Sequence, residues 1–324
     1  MGRLRRGYEA IASRRWALVA IQLAAVGVLF FFLGWAFRGA WRDARPRLRD
    51  ADFSDLAAST AILAVYYLLF TVGWQRLLRA WDLRIPYFVA LQAEMASVLA
   101  KYVPGTVWVP AARIAALRRF GIRGTSLIVA SMLMEAGLSA LAGIVVFFVS
   151  LTTVGFSSAP VLPLLVLALV VVVGLHPRVF TPGIRRVLRR FGASELPPLP
   201  YSTLLGLLVY YSFTWLVGGS AIFFLLRSLG DDPSVTDIPY LGGIAAVSAI
   251  VAVLSLITPS GLGVREASMY GLLLAITSSG IALGVTVLNR LTITIVEAAL
   301  LLVGAFAWRY LPRPRPEPKP ETGP

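Results

Sequence analysis

The chain has 324 residues, 58% of them hydrophobic and only 14% charged, with a mean hydropathy of +0.78. A soluble domain carries about 25% charged residues, so this is the composition of a polytopic membrane protein, and an ordinary soluble enzyme is excluded. The net charge is +14, from 30 basic against 16 acidic residues, with no cysteine and a single histidine, His176. That removes disulfides, thiolate chemistry, zinc sites built on His or Cys, and haem or iron–sulfur centres. No metal and no cofactor are expected, and any chemistry must use carboxylates, arginines, hydroxyls or backbone.

Residues 1–15 form a basic segment with Arg3, Arg5, Arg6, Arg14 and Arg15. The apolar run Trp16–Phe37 that follows is longer than a signal-peptide core and lacks a small-x-small cleavage site. It is a retained first span with the N-terminus in the cytoplasm. The loop RGAWRDARPRLRDADFSD, residues 38–55, carries Arg38, Arg42, Arg45, Arg47 and Arg49 beside Asp43, Asp50, Asp52 and Asp55. A spanning helix needs about 20 mostly apolar residues. Further spans are expected at Leu56–Leu78, Thr125–Leu151, Ala159–Leu175, Tyr201–Leu226, Tyr240–Ile257, Ala267–Asn289 and Leu291–Trp308.

Between the second and third of these spans, Tyr87–Leu117 is too polar and too broken by Pro104 and Pro110 to cross once. It is expected to be a re-entrant pair of half-helices. The fold class is therefore all-α: a membrane helix bundle of about eight spans plus the re-entrant pair, occupying residues 16–308. A proline-rich cytoplasmic tail, 309–324, should be extended and disordered.

The arginines orient this layout. Proposed inside segments hold 22 basic residues and proposed outside segments 7, with Lys101 within the re-entrant pair, as the positive-inside rule requires. Both termini are then cytoplasmic and the location is the cell membrane. In 176–200, Arg185, Arg186, Arg189 and Arg190 recur at helical spacing among apolar residues, the pattern of an interfacial helix lying on anionic headgroups. The basic excess thus concerns orientation and lipid surface; no nucleic acid is expected.

Charged side chains at membrane depth cost at least about 2.5–3.5 kcal/mol each. The acids there are Glu94, Glu135, Glu266 and Glu297, and the bases are Lys101, Arg113, Arg265 and Arg290. Four of each suggest one polar interior whose charges neutralise one another. Glu94, Val98 and Lys101 share a helix face, as do Arg290, Thr294 and Glu297. Arg265 and Glu266 point about 100° apart and must seek different partners. Glu135 lies among small residues and should face a neighbouring helix. Structural ion pairing and snorkelling of Arg113 and Arg290 to headgroups are the plainer alternatives.

Two proline–glycine breaks punctuate the chain. KYVPGTVWVPAAR, residues 101–113, contains Pro104 and Gly105; TPSGLGVREAS, residues 258–268, contains Pro259, Gly261 and Gly263. Each stops a helix at membrane depth and frees backbone N–H groups next to an arginine. Pro104 and Pro259 lie 155 positions apart, near half the chain, which suggests a two-repeat organisation. Paired interrupted helices point to a transporter binding site.

These two motifs, in this order, resemble the transmembrane region of the lysylphosphatidylglycerol synthase family. Its pattern is a PG segment followed by an arginine and a GI or GV turn, here KYVPGTVWVPAARIAALRRFGI (101–122). A glutamate in the next span (Glu135), a GxGxRE stretch (PSGLGVREA) and a late arginine (Arg290) follow. The resemblance implies a flippase-like bundle that moves or binds a phosphate-headgroup lipid, either modified phosphatidylglycerol or a polyprenyl-phosphate sugar. The family's full synthases add a soluble aminoacyl-transfer domain that does not follow here, so synthesis of the lipid by this chain is not expected.

On this reading Lys101, Arg113, Arg265 and Arg290 hold the lipid phosphate, and the four glutamates supply counter-charge or receive a cationic headgroup. Two other functions compete. One is a polyprenyl-phosphate-dependent glycosyltransferase using Asp50 and Asp52 as an acidic pair. The other is a non-transporting partner of a glycosyltransferase or lipid-modifying enzyme. Proteolysis is excluded: Ser260-Gly261 has only His176 as a base, and no aspartate lies within a span. Without a GxxxxGK[ST] loop the chain does not hydrolyse ATP. Faces such as LVGGSAIF suit homodimer formation.

Overall fold

The structure is a computed structural model that describes residues 38–100, 108–122, 124–154, 199–255 and 263–307, with a few isolated helical positions between 162 and 173. The expected span Trp16–Phe37, the basic helix in 176–200 and the tail from 309 lie outside these residues, as does nearly all of Ala159–Leu175. Among the described residues every regular element is helical. They are α1 (Arg38–Arg49), α2 (Phe53–Arg79), α3 (Tyr87–Ala100), α4 (Trp108–Arg118), α5 (Thr125–Val154), α6 (Tyr201–Ser228), α7 (Ile238–Leu254), α8 (Val264–Leu273) and α9 (Ser279–Ala307).

Five of the described helical segments are long and apolar enough to cross a membrane: Phe53–Arg79, Thr125–Leu151, Tyr201–Ser228, Val235–Leu254 and Ser279–Phe306. The others are too short. At about 1.5 Å per residue, the 14 residues of α3, 11 of α4 and 10 of α8 fall well below the roughly 30 Å of a hydrocarbon core. The chain is a multi-pass helical membrane protein in which long helices alternate with broken ones.

The bundle centres on α6, which packs against α2, α5 and α7. Small residues allow this closeness. A Cβ at Gly219 or Gly242 would meet backbone of the facing helix, and one at Gly243 would strike Phe147 of α5. Trp74, Leu77 and Leu78 of α2, Leu117 of α4, Ile128 of α5 and Tyr211 of α6 form one buried core. Phe147, Leu226, Leu241, Ile244, Leu273 and Val285 form a second between α5, α6, α7, α8 and α9.

Two expectations need correction. The spans Ala267–Asn289 and Leu291–Trp308 are not the elements found. The helix break falls at 274–278, and α9 then runs without interruption through Arg290. The sequence LAITSSG is apolar enough to extend a hydropathy window, yet Thr277, Ser278 and Gly280 end one helix and begin another. Thr277 Oγ1 donates to Asp231 Oδ2 at 2.6 Å, and the Ser278 carbonyl accepts the first α9 bond from Ala282 N at 2.8 Å. Arg290 is thus neither in a loop nor at a helix end.

The second correction concerns residues 38–55. The expected loop is mostly helical. Ala40 and Ala44 of α1 pack on Leu283 of α9, and Arg47 Nη1 donates to the Leu229 carbonyl at 3.3 Å. Asp52 is the N-cap of α2: its Oδ1 accepts from Ser54 N at 2.8 Å, Ser54 Oγ at 2.6 Å and Asp55 N at 3.1 Å. Those bonds, the Ser54 hydroxyl's first, hold its carboxyl below the usual carboxylate range.

Candidate functional site

The polar interior is real but divided. Its first part is a buried cluster on α3, α4 and α5. Arg113 sits in the middle of α4, and only 7% of its side chain is exposed, so it does not snorkel. Its Nη1 donates to Glu135 Oε2 at 2.9 Å, a short charge-assisted bond. Its Nη2 lies 3.8 Å from Glu94 Oε1, an ion pair too long for a hydrogen bond. Its Nε donates to Ser97 Oγ at 3.3 Å, while Ser97 Oγ itself donates to the Glu94 carbonyl at 2.6 Å.

Trp74 closes the cluster from α2. Its ring lies 4.3 Å beneath the Arg113 guanidinium, a cation–π contact, and its Nε1 donates to Ser131 Oγ of α5 at 2.9 Å. One arginine therefore ties three helices together over an indole floor.

The second part joins α8, α9 and α2. Gly263 caps α8 with φ of 84°, a conformation that residues with a Cβ rarely adopt. Its N–H donates to Glu266 Oε2 at 2.7 Å. The other oxygen of Glu266, Oε1, lies 3.5 Å from Arg290 Nη1 of α9, and these side chains are 19% and 21% exposed. One α-helical turn on from Thr294, Glu297 is buried and accepts from the Tyr67 hydroxyl of α2 at 2.7 Å. Arg265 and Glu266 do take different partners, as their angle on the helix requires. Arg265 is half-buried, and among the described residues it makes no ion pair or hydrogen bond.

Tyr66 and Tyr67 lie between the two parts, edge to face with ring centroids 5.5 Å apart. Tyr66 is within electrostatic range of Arg265, Glu94 and Glu135, and Tyr67 of Glu297 and Arg265. Seven of the eight expected interior charges are thus placed: Glu94, Glu135 and Arg113 together; Glu266 with Arg290; Glu297 on Tyr67; Arg265 facing the tyrosine pair. Lys101, Pro104, Gly105, Pro259 and Gly261 lie outside the described residues; beside the second break, α7 ends at the C-cap Ser255 and α8 starts at the N-cap Gly263.

Trp74, Ser97, Tyr67 and Tyr66 were not singled out from sequence. For Trp74, Tyr66 and Tyr67 the signal was present: polar-tipped aromatics inside apolar helices, which need a partner for the O–H or N–H when buried. Among the described residues no group of three or more His, Cys, Asp or Glu could hold a metal ion. A shallow surface depression lined by Arg79, Arg84, Ile85 and Pro86 shares no residue with either cluster.

Comparison with curated proteins gave no match. The family model for the lysylphosphatidylglycerol synthase TM region matches residues 19–308, which takes in both breaks, both clusters and every long helix described above. With that match over most of its length and an all-helical membrane bundle among its described residues, the chain belongs to the lysylphosphatidylglycerol synthase transmembrane-region family.

Proposed function

We propose that the protein is a lipid flippase or lipid-binding transporter for a lipid with a phosphate headgroup, and that Arg265 takes the phosphate. One observation carries this assignment. Of the interior cations described, Arg113 is held by two glutamates and Arg290 by one, whereas Arg265 has no carboxylate or hydrogen-bond partner among the described residues. It sits in the first turn of α8, where unpaired backbone N–H groups and the helix dipole also favour an anion. A phosphate there gains a guanidinium that no protein carboxylate competes for.

Tyr66 and Tyr67 flank the site with hydroxyl groups suited to glycerol or sugar oxygens. Glu266 keeps the start of α8 in place through Gly263 and Arg290. Family membership supports a lipid-related role. The acidic-pair enzyme reading is weakened by Asp52, whose Oδ1 already caps α2. The test is reconstitution in liposomes with fluorescent phosphate-headgroup lipids. Arg265→Ala should abolish bilayer exchange of the lipid and Arg265→Lys should retain part of it. Exchange unchanged in Arg265→Ala would overturn the assignment.

A further inference from the structure

The cluster on α3, α4 and α5 has a charge imbalance that the lipid site does not use. Two carboxylates, Glu94 and Glu135, share the single guanidinium of Arg113, and each of the three side chains is 5–7% exposed. Fully ionised, the cluster would carry one uncompensated negative charge out of water, at a cost of several kcal/mol. Each glutamate also leaves one buried oxygen without a hydrogen-bond partner: Glu94 Oε2 and Glu135 Oε1. Arg113 has no donor turned to them.

The other titratable groups facing the cluster are tyrosines. Tyr66 of α2 lies within electrostatic range of both glutamates, Tyr87 of α3 within range of Glu94, and Tyr211 of α6 within range of both. The Tyr211 hydroxyl is fully buried and also lacks a hydrogen-bond partner. No second cation among these groups balances the excess charge. Two orphaned carboxylate oxygens around a surplus negative charge call for one small cation, and a carboxyl proton is the one that needs no coordination shell. It adds a second donor, beside the Tyr211 O–H, for the two unfilled carboxylate oxygens.

We propose that Glu94 and Glu135, with Arg113 and Tyr211, form a binding site for one exchangeable proton shared between the two carboxylates. With the proton bound the cluster is neutral, and α3, α4 and α5 stay closed over Trp74. Its release leaves a buried charge that is relieved by opening this contact to water. The site is independent of the lipid assignment, and its test needs no transport.

The test is infrared difference spectroscopy of the purified protein in lipid nanodiscs at neutral pH, in H2O and D2O. The unsubstituted protein should show a protonated-carboxyl C=O band that shifts in D2O. That band should be lost completely in Glu94→Gln and, separately, in Glu135→Gln, because the remaining carboxylate then has Arg113 to itself and ionises. The same band should remain in Glu297→Gln. Absence of a deuterium-sensitive carboxyl band from the unsubstituted protein would overturn the site, whatever the variants do. A band that survives either single substitution at position 94 or 135 would overturn the sharing.

Discussion

Two regions of the molecule, α3–α5 and α7–α9, each hold an arginine–glutamate pair, with opposite charge placement. In the first, α3 is followed by a short helix (α4), and a long one (α5) begins at Thr125. In the second, α7 ends before its break, α8 is the short helix, and the long α9 begins at Ser279. Each half joins its short helix to its long one through an arginine–glutamate pair. In the first the arginine, Arg113, is on the short helix and the glutamate, Glu135, on the long one. In the second the glutamate, Glu266, is on the short helix and the arginine, Arg290, on the long one.

Burial differs as much as polarity. The first pair meets at 2.9 Å with side chains 7% and 5% exposed, and the second at 3.5 Å with 19% and 21% exposed. The first region is sealed, and the second is partly accessible beside Arg265, which has no ion-pair partner among the described residues.

The largest expected effect breaks the sealed half. Arg113→Ala leaves two buried carboxylates without their cation and should destabilise the protein by about 3–5 kcal/mol, the usual cost of removing one partner of a buried pair. It would be seen as a lower thermal unfolding midpoint in detergent. The triple variant Arg113→Ala/Glu94→Gln/Glu135→Gln removes the charges together and should recover a substantial part of that loss. No recovery would mean that Arg113 acts through packing on Trp74 and not through charge.

A smaller effect is expected at the open half's hinge. Gly263 has a φ of 84°, so Gly263→Ala should cost about 1–3 kcal/mol of backbone strain and weaken the start of α8. Gly124 also has positive φ, 131°, before α5. An alanine there meets no neighbouring atom, so it isolates the strain from any crowding and is the matching control in the other half. Unfolding midpoints of the two variants compare the hinges directly.

Smaller still is Glu266→Gln. The amide keeps an acceptor for the Gly263 N–H but removes the charge facing Arg290. A partly exposed ion pair contributes about 0–1 kcal/mol, so the unfolding midpoint should barely move while lipid exchange falls. Equal losses of stability in Arg113→Ala and Arg290→Ala would erase the distinction between the two regions.

Much of this plan was legible in sequence, and the failures have physical causes. Charges at membrane depth stand out because burial makes them costly, so Glu94, Arg113, Glu135, Glu266, Arg290 and Glu297 could be selected from composition alone. The start of α8 at Gly263 was legible because glycine acts locally. The turn at 274–278 was lost because a hydropathy window averages over Thr277 and Ser278, and Arg290 was taken for a loop residue because its neutralising partner lies 24 positions earlier. Which of four acids meets which base is a long-range fact, set by helix packing that no local pattern encodes. The tyrosine pair and Trp74 were hidden by their apolar bodies, which fit a membrane helix as well as leucine does.

The smallest effect belongs to a carboxylate outside both halves, and it sets the baseline for the others. Asp52 is solvent-exposed and caps α2, with its carboxyl held below the usual range by the Ser54 hydroxyl, then by the backbone N–H groups of Asp55 and Ser54. A carboxyl lowered in the folded state contributes its stability above the unfolded pKa and loses it as pH falls through the folded one. Asp52→Ser keeps a capping oxygen and should leave the unfolding midpoint at neutral pH nearly unchanged, while removing this small acid-side loss. Asp52→Ala should lower the midpoint slightly at neutral pH and less in acid, where the native cap is already protonated. Lipid exchange should be normal in both, since the cap touches neither cluster. An abolished activity in Asp52→Ser with an unmoved midpoint would instead show that residues 50–52 carry chemistry, and would shift attention from the paired breaks to the α1–α2 junction.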